Sequence, residues 1–200
     1  DYTKSIETDP NTKHARYNRG NAKYELKDYL GAIEDYSSQI EINPNYDDSY
    51  RRRAEVKATL GDKESAETDF KKAIKIDPND KDHLNNYGVF LAGESRYEEA
   101  LILFNKVSNL FPSDDLFLYN KGFALFKLGE YKNAITEITK SIEENPNRGK
   151  SYKYRGIAQL YLENYGESCK DLTDASSLKI NIDKKFLTSC SIEKGLKNFK

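Results

Sequence analysis

Side chains that could carry chemistry are few and scattered along this 200-residue protein. His14 and His83 fall near the starts of two comparable helix-forming stretches, with no cysteine or second histidine at ligand spacing, so they do not compose a zinc site. Cys169 and Cys190 read as small core residues, and a disulfide between neighbouring helices stays open as the alternative. The carboxylate pairs Glu34-Asp35, Glu98-Glu99 and Glu143-Glu144 take outward or terminal helix positions, where solvation accounts for them without acid-base work. Neither a glycine-rich phosphate loop nor a nucleophile elbow is present. The expectation is a protein that is not an enzyme and uses no metal or cofactor. What remains is recognition chemistry: Asn18, Arg52, Asn86, Asn120 and Tyr154 recur every 34 residues. A carboxamide both donates and accepts, so an asparagine facing an extended peptide can satisfy its backbone C=O and N–H groups whatever its sequence.

The elements that would position that series follow the same period. All five prolines (Pro10, Pro44, Pro78, Pro112, Pro146) are 34 residues apart. So are Gly20, Ala54, Gly88, Gly122 and Gly156, and Ala32, Ala66, Ala100 and Ala134, with Ser168 fifth. Large residues keep step at Tyr36, Phe70, Phe104, Ile138 and Leu172. Each unit predicts two helices, in the first copy over 12–26 and 30–42, with Lys27-Asp28 forming the turn and Asn43-Pro44 ending the second helix. A Gly or Ala facing an Ala lets two backbones approach closely while large residues fill the space beside them. One such unit cannot bury its apolar face alone, so stability comes from stacked neighbours.

These residues resemble the tetratricopeptide repeat, a 34-residue helix-turn-helix. The resemblance is carried by Asn18-Arg19-Gly20-Asn21-Ala22, Tyr29, Ala32-Ile33, Tyr36 and Asn43-Pro44-Asn45, and again by Asn120-Lys121-Gly122, Gly129, Tyr131, Ala134-Ile135 and Asn145-Pro146-Asn147. It implies an all-α, right-handed superhelical solenoid of antiparallel helix pairs, with copies at 13–46, 47–80, 81–114, 115–148 and 149–182. Departures fall in the second copy, where Lys63 replaces the turn aromatic, and in the fifth, with Ser168 and with Ile180 in place of proline. Residues 1–12 read as the tail of a preceding unit's second helix, so that the sequence starts in mid-repeat. Residues 183–200, with Phe186, Cys190 and Leu196, read as a capping helix.

The resemblance also implies that first helices line a groove, and the candidate peptide-binding residues are Asn18, Asn21, Arg52, Asn86, Tyr119, Asn120, Phe123, Lys150, Tyr154 and Ile157. Helices pack about 8–10 Å apart, so one asparagine per unit would meet an extended peptide roughly every three residues. The alternative is that these asparagines are solvated or bonded to a neighbouring helix. Early copies offer a polar lining of mixed charge (His14, Tyr17, Tyr24, Asp48, Arg51, Glu55). Later copies offer apolar residues (Leu116, Phe126, Leu160, Tyr161), an anchor surface unless a capping helix or a second copy covers it. The carboxylate clamp by which some family members grip chaperone C-termini is incomplete: its best window keeps only Asn120 and Lys150.

Charge supports the same partner class. Lys and Arg number 32 against 33 Asp and Glu, a net charge of -1, which argues against nucleic acid as the default partner. From Arg148 onward there are 11 basic against 6 acidic residues, a basic end suited to an acidic peptide or simply a solvated face. No apolar run reaches the roughly 20 residues of a membrane span. The expected partner is a protein or peptide. Self-association, and service as the substrate-selecting arm of a larger enzyme, are the alternatives. The compartment is unassigned, the cytoplasm being favoured.

Overall fold

The computed structural model describes residues 2–9 and 14–186. Among them are eleven α-helices and no strand: α1 Tyr2–Thr8, α2 Ala15–Glu25, α3 Tyr29–Ile42, α4 Asp47–Thr59, α5 Lys63–Ile76, α6 Lys81–Gly93, α7 Tyr97–Leu110, α8 Asp115–Lys127, α9 Tyr131–Glu144, α10 Gly149–Tyr161 and α11 Tyr165–Ser177. The all-α class of tandem antiparallel pairs is therefore present. The protein divides into two compact units, Asp1–Phe90 and Leu91–Lys200. In the first, α2 packs on α3 and α4 on α5; in the second, α8 packs on α9 and α10 on α11. Residues 184–186 are helical, and the rest of the capping helix expected over 183–200, with Cys190 and Leu196, lies outside the described residues. Pro10 and the expected helix start at Thr12 lie outside them too.

Local rules set the boundaries. In the first four pairs the second helix stops two residues before its proline, at Ile42, Ile76, Leu110 and Glu144, because a pre-proline residue is pushed out of the α region. Asn43, Asp77 and Asn145 then accept a side-chain hydrogen bond from the N–H two residues on, at 3.2, 3.0 and 3.1 Å, which turns the backbone into the next pair. Asp28 and Asp62 cap the N-termini of α3 and α5 through the amides of Gly31 and Ser65. Between the helices of every pair one residue takes a left-handed conformation: Lys27, Gly61, Ser95, Gly129 and Glu163, with φ from 61° to 86°.

Within a pair, residues sixteen apart face each other. A Cβ placed on Gly20 would lie 2.7 Å from the Tyr36 ring, and one on Gly156 would lie 3.1 Å from both the Leu172 side chain and the Ser168 carbonyl oxygen. The small residue thus faces the large residue itself as well as the backbone of the small position, a closer fit than Gly against Ala alone. The same register pairs charges. Arg19 Nε donates to Asp35 at 2.8 Å, Arg53 Nε to Asp69 at 2.8 Å and Arg155 Nε to Asp171 at 2.7 Å, while Lys121 lies 3.4 Å from Glu137. Arg53 reaches on to Ser37 Oγ at 2.9 Å and Arg155 to Thr139 Oγ1 at 3.1 Å, tying each pair to the one before. Asp35 is 2% exposed. The expectation that it is solvated is therefore corrected: it is buried because Arg19 and Lys23 neutralise it.

Candidate functional site

In the second unit, α8 and α10 lie side by side and present a connected set of rings. Phe123 meets Tyr154 edge-on with centroids 4.9 Å apart, Tyr119 lies 6.2 Å from each of them, and Phe126 lies 5.4 Å from Tyr154. Tyr131 stacks on Tyr161 at 4.6 Å, and Phe126 touches both. The spacing follows from the helix period: residues 119, 123 and 126 share one face of α8, and residues 154 and 161 one face of α10. Burial raises the pKa of the Tyr119 hydroxyl, and the neighbouring Tyr154 adds to it, so the phenol stays neutral. Two cations already cover ring faces: Lys127 over Tyr97 and Phe123, and Arg148 over Tyr119. Arg148 is itself held by Asp115, which also accepts from Asn145 at 3.0 Å. Burial alone would raise the Asp115 carboxyl, but these two donors hold it below the usual carboxylate range.

Beside the rings opens a cavity of about 470 Å³, lined by Tyr119, Phe123, Tyr154, Lys150, Lys153, Lys179, Ile180 and Asn181. Four of the expected site residues therefore converge: Tyr119, Phe123, Lys150 and Tyr154. Lys179, Ile180 and Asn181 are not among the expected residues, because they follow α11 at the end of the fifth copy, where the proline that marks the other copies is missing. The available signal was Ile180, which stands where a proline would recur. The structure seats it against Gly149, whose Cβ would lie 2.6 Å away.

The other expected residues fare differently. Ile157 is 4% exposed and packs with Leu172, Ala175 and Ile182, so its side chain is taken by the core and does not line the cavity. Asn120 is 8% exposed, too enclosed to serve a peptide backbone as expected. Asn21 accepts from the Tyr36 hydroxyl at 2.8 Å, and Asn18 is half-buried on α2.

In the first unit, Asn86 donates to Glu55 at 2.6 Å and accepts from Asn85 at 3.1 Å, while Glu55 also receives Arg51 at 2.8 Å and Arg52 at 3.1 Å. At Asn86 the 34-residue series is thus no free ladder: its carboxamide is bonded to Glu55 on a neighbouring helix, the alternative left open by the sequence, while Arg52 is bonded to Glu55 on its own helix. Arg52, Glu55 and Asn86 instead form the polar rim of a separate cavity of about 390 Å³, with Tyr24, Ala58, Phe70, Val89 and Phe90 among its lining. His83 is 1% exposed, with its ring nitrogens 2.8 Å from Asp80 and 3.2 Å from Asp47. Among the described residues no group of three or more His, Cys, Asp or Glu could hold a metal ion, and no helix is long and apolar enough to cross a membrane.

Tetratricopeptide repeat models match residues 14–46, 48–80, 70–102 and 116–148, together more than half of the sequence. No match was found among curated protein sequences. Among solved structures the protein is similar to MamA (41-end) from Desulfovibrio magneticus RS-1, with TM-score 0.76 and 19% identity over 84% of this chain and 94% of that one. It is similar to PilF of Pseudomonas aeruginosa, with TM-score 0.79 and 21% identity over 88% of this chain and 80% of that one. It is also similar to YrrB, described as a TPR protein with an unusual peptide-binding site, with TM-score 0.75 and 18% identity over 96% and 97% of the two proteins. At these identities the likeness is one of fold.

Proposed function

We propose, for a protein that belongs to the tetratricopeptide repeat family, that its work is to hold a protein partner, and that a segment of the partner docks on the α8–α10 face of the second unit. The observation that carries this reading is the convergence of Tyr119, Phe123 and Tyr154 around a cavity of about 470 Å³, within the roughly 300–1,000 Å³ of ligand pockets. Partly exposed rings at fixed spacing supply apolar area at small entropic cost, which is why aromatics anchor contacts between proteins. That YrrB, alike in fold, has a peptide-binding site is in keeping with it.

Phage-displayed peptides selected on the intact protein test the proposal. Enriched peptides should bind Phe123→Ala about tenfold more weakly or worse, while far-ultraviolet circular dichroism shows the helices retained. Peptides that bind Phe123→Ala like the parent would remove this face from the function. Self-association is the second reading, favoured by Leu26 and Leu30, which are 80% and 70% exposed on either side of one turn. Mass that rises with concentration in light scattering, and falls back in Leu26→Ser/Leu30→Ser, would support it.

A further inference from the structure

The cavity beside the rings carries an unbalanced charge. Arg148 and Arg155, on or next to the same helix, spend their charge on Asp115 and Asp171. Lys150, Lys153 and Lys179 line the cavity, and no carboxylate among the described residues pairs with any of them. Lys153 donates to the Asn181 carbonyl oxygen at 2.9 Å, which fixes the segment after α11 and completes the wall, but a carbonyl does not neutralise an ammonium. Lys179 is carried there on a left-handed backbone with φ 61°. Lys127 and Arg148 already lie over Phe123 and Tyr119, so a cationic ligand would meet like charge at two of the three rings.

We infer that this cavity takes an acidic polypeptide segment, with one large apolar side chain set against Phe123 and Tyr154 and carboxylates on either side of it meeting Lys150 and Lys179. The inference rests on the reading of this face as a docking site and adds the partner's chemistry. An extended segment suits it: alternate side chains of such a segment point to opposite sides, so when an apolar residue faces the rings, the residues two places before and after it face the same way, towards the lysines. Uncompensated lysines at a rim draw an acidic ligand in and orient it, more than they hold it. Polyanions without an apolar side chain would meet the lysines but leave the rings uncovered.

Three short fluorescein-labelled peptides test this by anisotropy: a Leu-Phe pair flanked by Asp and Glu, by Ser, or by Lys. The acidic probe should bind about tenfold or more tightly than the serine probe, the advantage shrinking as salt is raised from about 0.05 to about 0.5 M. The lysine probe should bind weakest. Lys150→Gln/Lys179→Asn should erase the advantage, asparagine being chosen because it tolerates the left-handed backbone. Lys132→Gln, on α9, should not change it. If the acidic and serine probes bind alike and both lose affinity on Phe123→Ala, the charge inference falls and the docking face stands. If an oligonucleotide displaces the acidic probe and binds equally tightly, the site is one for polyanions and the inference falls. If no probe binds, docking face and acidic segment fall together, and a dimeric mass by light scattering that Phe123→Ala abolishes and Leu26→Ser/Leu30→Ser does not would assign the cavity to a second copy.

Discussion

Asp35 shows how much of this fold depends on single charges set in the right register. Its carboxylate is 2% exposed and held by Arg19 and Lys23 from the partner helix. Burial alone would raise its pKa, but the hydrogen bonds from Arg19 and Lys23 outweigh burial and leave it below the ordinary carboxylate range. A depressed folded-state pKa means the pair stabilises fully above the unfolded value, about 3.9, and loses that contribution as pH falls through the folded one. Asp35→Asn should therefore cost about 2–3 kcal/mol near neutral pH. The gap to the parent, measured by urea midpoints, should close below about pH 4. A gap that held constant in acid would show the cost to be one of shape instead of charge. The pair was open to reading in the sequence, since Arg19, Arg53 and Arg155 and Asp35, Asp69 and Asp171 each keep the 34-residue period. Its burial was not legible, because an acidic residue on a helix looks solvated until the residue opposite is known.

At the level of the element, the turn within each pair sets a backbone requirement that the sequence meets unevenly. Gly61 and Gly129 adopt φ of 86° and 79° without a side chain to crowd, whereas Lys27, Ser95 and Glu163 hold the same conformation near 61°. For a residue with a Cβ, the left-handed conformation costs about 1–2 kcal/mol. Glu163→Gly should therefore stabilise the fold by about 0.5–1 kcal/mol once the added freedom of the unfolded glycine is subtracted, read as a higher urea midpoint at unchanged slope. Gly129→Ala should move the midpoint the other way by a similar amount. The helix interior allows no such latitude: a side chain at Gly122 would meet Ile138 and, at 3.3 Å, the Ala134 carbonyl oxygen. Gly122→Leu should lower the melting temperature sharply, at about 3 kcal/mol or more, and a variant that melted like the parent would refute the sixteen-residue register. Helix ends were legible because proline acts on its immediate neighbour. The roles of Asn120 and Ile157 were not, because whether a first-helix residue faces outward or inward depends on how the next pair lies against it. Lys179, Ile180 and Asn181 follow α11 at the end of the fifth copy, where Ile180 replaces the proline and the pattern no longer says which way the chain turns.

For the whole molecule, repetition determines how stability is distributed. Where each pair packs on its neighbours in sequence, an element's protection depends on how many neighbours it has. α10 touches α8, α9 and α11, and six of its residues are buried. α1 is seven residues long, packs on α2 and buries none. A helix that short does not persist alone in water, since nucleation needs more turns to recover its cost. Local opening should consequently be graded, and amide hydrogen exchange on the intact protein resolves it helix by helix. Amides of α1 should exchange at least about a hundredfold faster than those at the centre of α10, equivalent to a difference of about 2.7 kcal/mol in opening free energy. The acidic probe should slow exchange in α8 and α10 and leave α1 as it was. Equal protection of α1 and α10 would mean that the molecule opens only as a whole, contrary to a stack held together by nearest neighbours.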